Sequence, residues 1–213
     1  MNQKILCILP ICINPTNNSS NKGLERIEQY VSGLSKFFQY IDTLNKYLVD
    51  IIIFDNTIKK TESLPDKILQ IIPKNVKILT DIVNNYGCIN KGAGLIESWM
   101  YLNNYICQYD FLIHFEPRQL LLNFNFITSF LENPRNLFTY GENNNHFNTG
   151  LFCINCKTLI IFLNSVKLDE MCYKYISIEY ILFDFFKKIN IPYSLMDKME
   201  LVWFPHLCKP IIN

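Results

Sequence analysis

An α/β fold built on a mostly parallel sheet flanked by helices is what this chain of 213 residues predicts. Three observations carry that expectation. Short unbroken apolar runs stand where central strands belong, amphipathic segments with three- and four-residue spacing stand between them, and the two kinds alternate through the first half. With 49% hydrophobic and 18% charged residues the chain can bury one sizeable core, so residues 1–213 read as a single domain.

The first strand is expected over Lys4 to Ile13, a continuous apolar run closed by Asn14-Pro15 and an Asn/Ser/Gly cluster. A helix follows, because Leu24, Ile27, Val31, Leu34, Phe38 and Ile41 fall on one helical stripe while Glu25, Glu28 and Lys36 turn elsewhere. Asp50 to Asp55 is the second buried strand, Pro65 to Ile71 a short helix, and Val76 to Leu79 the third strand. After Asn84-Asn85-Tyr86-Gly87 comes a helix over Lys91 to Ile106, then a strand over Phe111 to Phe115, then a helix over Phe124 to Leu131 that stops at Asn133-Pro134. The second half is less regular. Strands are expected over Leu137 to Tyr140 and Asn148 to Asn155 around the loop GENNNH, with helices over Thr158 to Leu163 and Ile176 to Ile189. No internal repeat or linker interrupts the chain.

Composition excludes several classes of function. A formal net charge of +1 with scattered lysines gives no electrostatic footprint for nucleic acid. The longest apolar runs fall far short of the roughly 20 residues of a transmembrane helix. The opening MNQKILCILPICINP looks superficially like a signal peptide, but it lacks a small-residue cleavage site and reads as the first core strand. Most of the eight cysteines, Cys7, Cys88, Cys107 and Cys153 among them, lie in apolar stretches and behave as small hydrophobes, which fits a reducing, cytoplasmic compartment. Cys153 and Cys156 have no second pair with which to hold zinc. The abundance of Asn, Ile and Lys is what an AT-rich genome yields, such as that of a large DNA virus, with the host cytoplasm as its compartment, or of a host-restricted bacterium.

Ligands of open α/β sheets bind beyond the carboxyl ends of the strands, where loop amides and helix N-termini converge. Asn14, Asp55, Asn84, Asn85, His114, Glu116 and Arg118 all stand at such ends. The glycines in Lys91 to Leu95 invite a dinucleotide reading, but the element does not follow the first strand and Glu97 stands where a third glycine would fall.

In their order along the chain, ILPICIN, IIIFDN, NNYGCINKGAGLIESW and YDFLIHFEPR resemble the GT-A fold nucleotide-sugar glycosyltransferases of the small single-domain type. The likeness spans most of the chain through short motifs. It implies a GT-A-like, Rossmann-type mixed sheet with a nucleotide-sugar-binding half over 1–120 and an acceptor-side half over 121–213. It implies transfer from a nucleoside-diphosphate sugar, a UDP-sugar foremost, to a hydroxyl of a glycan or glycoprotein. Pro10, Ile11, Asn14, Asp55 and Asn85 match the positions that cradle the nucleotide, and Lys91 opens the helix beside the sugar diphosphate. The family's Asp-x-Asp, which holds a divalent cation, is replaced here by His114-Phe115-Glu116. That departure puts Mn2+ or Mg2+ in question, since an imidazole beside a carboxylate suits manganese or no metal at all. His114, Glu116 and the later His206 are the metal positions the resemblance offers, with Arg118 as a phosphate fork. Asn148 and Thr149 match the strand that lines the donor sugar. Glu179, just after Ser177, matches the acidic residue that acts as general base in inverting members, with Asp169 and Glu170 as the fallback pair.

Each residue also has a plainer role open to it: Glu116 and Arg118 as a solvated turn pair, His114 and His206 as packing groups, Gly150 as a bulge, Glu179 as a first-turn helix stabiliser. Two other functions share this fold logic, a sugar nucleotidyltransferase and a non-catalytic carbohydrate- or nucleotide-binding module. The first usually carries a glycine-rich basic signature after strand one, where Asn14 to Gly23 has a single glycine.

Overall fold

The computed structural model describes residues 3–15, 24–203 and 211–212. Its main sheet has seven strands in the order β3-β2-β1-β4-β7-β6-β8. The strands β1 (Ile5–Ile11), β2 (Val49–Asp55), β3 (Lys77–Thr80) and β4 (Phe111–Phe115) are mutually parallel. Between them run α1 (Leu24–Phe38), α2 (Ile41–Lys46), α3 (Asp66–Leu69), α4 (Lys91–Tyr101) and α5 (Asn103–Ile106). The second half supplies β5 (Gln119–Leu121), α6 (Asn125–Glu132), β6 (Leu137–Phe138), β7 (Leu151–Asn155), α7 (Cys156–Ser165), α8 (Leu168–Lys174), α9 (Ile178–Ile189) and the short β8 (Ser194–Leu195), β9 (Leu201–Trp203) and β10 (Ile211–Ile212). β7 runs antiparallel to β4, β6 antiparallel to β7, and β8 parallel to β6.

β1 is apolar on both faces because it is the inner strand, paired with β2 on one side and β4 on the other. Its alternation divides the core into two layers. Ile5, Cys7, Leu9 and Ile11 pack with α1 and α6, whereas Leu6 and Ile8 pack with Trp99 of α4 and the apolar faces of α7 and α9. Among the described residues no helix is long and apolar enough to cross a membrane.

Some boundaries depart from expectation. The first helix breaks at Gln39 and Tyr40, whose amides bond three residues back, and Tyr40 stacks on Phe124 at 4.4 Å. The buried face of α1 is wider than the expected stripe: Leu34 and Phe38 are buried and Ile27 and Val31 pack half-buried on the core, while Arg26, Gln29, Tyr30 and Phe37 are buried beside them. The strand expected from Asn148 starts at Leu151, because the Asn148 side chain accepts from the Gly150 amide and bends the chain first. β5 and α8 lie in stretches with no expected element.

β5, β9 and β10 form a separate antiparallel sheet beside α1. Gly33 permits this contact, since a Cβ there would stand 2.0 Å from the Pro117 carbonyl oxygen. The turn after β4 therefore rests directly on α1, and that placement carries Glu116 and Arg118 into the site.

Candidate functional site

A cavity of about 130 Å³ opens over the carboxyl ends of β1 and β4 and is lined by residues of α1 and α4. It shares Lys91, Leu95, Glu116 and Arg118 with a wider cleft of about 1110 Å³, which extends past Asn148 and Thr149 to Glu179. One continuous hollow thus joins the two halves of the chain.

The cavity's walls come from both sequence-expected and unexpected residues. Pro10 and Ile11 line it, as their place at the end of β1 implies. Asn14 does not; its amide donates to Thr57 Oγ1 at 3.0 Å. Asp55, expected to face the nucleotide, is fully buried and accepts from the Ile13 amide at 2.8 Å and from the Thr57 amide and hydroxyl at 2.7 Å each. Burial pushes its carboxyl up, with the Thr57 and Ile13 hydrogen bonds acting against that rise. Its oxygens are committed to fastening the two loops together, so Asp55 supports the wall, and Asn56, the next residue, forms it.

A similar one-residue exchange occurs after β3. Asn85 donates to Glu97 at 2.7 Å, and Glu97 also accepts from the Tyr86 amide, which pins the loop to α4. Asn84 is the residue at the cavity, its side-chain oxygen accepting from Asn56 at 3.3 Å. The loop lies flush on α4 because Gly87 and Gly94 face each other: a Cβ on Gly94 would be 2.4 Å from the Gly87 Cα.

Lys91 begins α4, whose N-cap Asn90 accepts from the Ala93 amide and donates to the Met171 and Ile176 carbonyls. Those last two bonds tie the start of α4 to α8 and to the connection between α8 and α9. Gly92 lets the two helix starts touch, since a Cβ there would come within 2.9 Å of the Ile178 Cβ. Glu179, in the first turn of α9, is thereby brought to the same cleft as Lys91. Thr149 donates to Glu179 Oε1 at 2.9 Å and so fixes the carboxylate. Asp169 and Glu170, the fallback pair, do not line the cleft.

Glu116 continues the β4–β7 ladder, its amide donating to the Gly150 carbonyl at 2.8 Å. Loss of water pushes its carboxyl up and the Glu179 charge adds to the rise, while Arg118, Gln119 and Lys91 act against it. Arg118 donates through Nε to Gln29 at 2.9 Å, which leaves its other edge toward the hollow.

His114 does not join Glu116 as expected. It lies deeper on the same strand, wholly buried, with its ring 5.2 Å from Trp99 and 4.9 Å from Phe152, and neither ring nitrogen has a partner. Burial pulls its pKa down to about 3, which keeps the ring neutral. His206 lies outside the described residues.

The fit of a divalent cation follows from this placement. Among the described residues no three His, Cys, Asp or Glu side chains gather around one point. Glu116 is the carboxylate at the turn, and Arg118 and Lys91 are close enough to act on its ionisation. The described residues therefore offer a divalent cation one carboxylate at this turn, beside two positive side chains, which is a poor donor set for Mg2+ or Mn2+.

Arg26 and Tyr30 of α1, with Ser98 of α4, also line the cavity and had not been singled out in the sequence. Arg26 is 6% exposed, bonds through Nε to the Cys12 carbonyl and lies over the Tyr30 ring. The available signal was a polar pair four residues apart, one step round the helix from the apolar stripe.

No protein-family model matches this chain, and no curated protein matches it in sequence. Solved structures do match in shape. A protein assigned as a nucleotide-diphospho-sugar transferase from Desulfovibrio desulfuricans G20 superposes with a TM-score of 0.59 at 7% identity, over 92% of this chain and 80% of that one. The bifunctional glycosyltransferase WbbM matches with a TM-score of 0.51 at 9% identity, over 92% of this chain and 39% of that one. The galactosyltransferase LgtC, solved with donor and acceptor sugar analogues, matches with a TM-score of 0.50 at 12% identity, over 89% of this chain and 73% of that one. At such identities the likeness concerns architecture, and the chain has the GT-A-like, mixed and mostly parallel α/β fold of these nucleotide-sugar transferases.

Proposed function

We propose that this chain is a glycosyltransferase that moves a sugar from a nucleoside-diphosphate sugar, a UDP-sugar foremost, to a hydroxyl of a glycan. The observation that carries the proposal is the single hollow that holds cationic side chains, Lys91 and Arg118, together with a carboxylate bonded by Thr149, Glu179. Glycosyl transfer needs both. The bond from the anomeric carbon to the diphosphate breaks with its electron pair leaving on oxygen, so positive groups must meet the departing charge. The acceptor oxygen forms the new bond and gives up its proton to Glu179, a general base whose contribution is about 10²- to 10⁴-fold. Attack from the face opposite the leaving group inverts configuration. Pro10, Ile11, Asn56 and Asn84 would hold the nucleoside, while Asn148 and Thr149 would meet the sugar.

The test is calorimetric titration with UDP joined to a transfer assay over a panel of UDP-sugars and glycan acceptors. Glu179→Gln is expected to keep nucleotide binding and lose about 10²-fold or more in kcat. Full activity in that variant would leave a retaining course instead, and nucleotide binding by a parent chain that transfers no sugar would leave a binding module.

A further inference from the structure

The nucleotide end of the hollow holds three cations, Arg26, Lys91 and Arg118. The ion pairs among the described residues are Lys59–Glu62, Lys60–Asp81, Lys67–Glu28 and Lys174–Glu170, and none of them uses these three. Glu116 is the anion near Arg118 and Lys91, so the cavity keeps an excess of positive charge, which is costly to withdraw from water, most of all for Arg26 at 6% exposure. Its neighbours, the Cys12 carbonyl and the Tyr30 ring, supply partial negative charge but no anion. A cavity built in this way is completed by an anionic ligand. The same place offers a metal ion very little: His114 is sealed between Trp99 and Phe152, and Glu116 is bonded by Gln119 at 3.3 Å.

We infer that this chain grips the diphosphate of its donor with Arg118, Lys91 and Arg26 in place of a divalent cation. The inference rests on the nucleotide-sugar reading above. Arg118 is the centre of the arrangement. Gln29 holds its Nε, so the guanidinium is oriented before the ligand arrives and its outer edge can meet two phosphate oxygens together. Lys91 adds a charge at the first turn of α4, whose N-terminal amides favour an anion as well. Arg26 closes the side formed by α1.

The experiment is calorimetric titration of the full chain with UDP, CDP, GDP and ADP, each in EDTA and in manganese chloride. At least one diphosphate is expected to bind in EDTA with an affinity within about threefold of that in manganese. Arg118→Gln should weaken that binding roughly 10- to 100-fold, the size of one or two lost charge-assisted hydrogen bonds, and Arg118→Lys should recover part of it. Thermal melts of both variants exclude loss of fold as the cause. Binding that appears only with manganese, or an Arg118→Gln variant that binds in EDTA like the parent, overturns the metal-free grip while leaving the nucleotide-sugar reading intact. Failure of all four diphosphates in both conditions overturns the two together.

Discussion

Replacing His114 by phenylalanine should make the protein more stable and less sensitive to acid. In the parent both ring nitrogens are buried without a hydrogen bond, between Trp99 and Phe152. An unsatisfied neutral polar group costs about 1–3 kcal/mol, so two of them outweigh the roughly 1–3 kcal/mol of crowding that a slightly larger ring brings. A net gain of about 1–3 kcal/mol is expected near neutral pH, which for a chain of this size is a rise in Tm of a few degrees, about 2–4 °C per kcal/mol. The pH dependence is the sharper readout. His114 titrates near 6.5 when unfolded and at about 3 when folded. Its folded pKa is depressed, so the unfolded chain takes up the proton first, and stability present above pH 6.5 is lost as the pH falls toward 3. Between about pH 7.5 and about pH 5 this amounts to about 2 kcal/mol, from a shortfall of about 1.5 pH units at 1.36 kcal/mol each. Urea melts of parent and His114→Phe at the two pH values measure it. If both proteins lose stability in parallel, or if the variant is the weaker one near neutrality, the ring has a polar partner and the account of its burial is refuted.

Two further substitutions test the scaffold of the site. Gly94→Ala puts a Cβ 2.4 Å from the Gly87 Cα, so the loop carrying Asn84 must lift; a loss of about 1–3 kcal/mol in urea melts and weakened nucleotide binding are expected together. Glu116→Gln should raise Tm near neutral pH. The folded-state pKa of Glu116 is raised by lost solvation above the ordinary 4.5, so the folded state holds the proton more tightly and stability falls as pH rises through that range. The variant's advantage should close below pH 4.5, and an advantage that persists there would locate the effect elsewhere.

Much of the fold is legible because local periodicity reports an element and the face it buries. The runs ending at Ile11, Asp55 and Phe115 declare the central strands, and the helices between them force a parallel arrangement. Periodicity was silent where polar side chains are buried along the cavity. On α1 the stripe of Ile27, Val31, Leu34 and Phe38 does pack on the core, but Arg26, Gln29 and Tyr30 are also turned inward, held by Cys12 and Arg118. After β2 and β3 the sequence marked the correct turns and missed the facing residue by one, because Asp55 and Asn85 are occupied with loop amides and Glu97.

The sequence by itself determined the alternation of strand and helix, and through it the end of the sheet at which open α/β folds take their ligands. Tertiary structure alone decided which side chains meet there. Lys91, Arg118 and Glu179 share one cleft because Gly33 admits the Pro117 turn, Gly92 admits Ile178, and Gly94 admits Gly87. Such approaches depend on the closeness of two backbones far apart in the chain, whereas a local pattern carries information only about the residues within its own few turns.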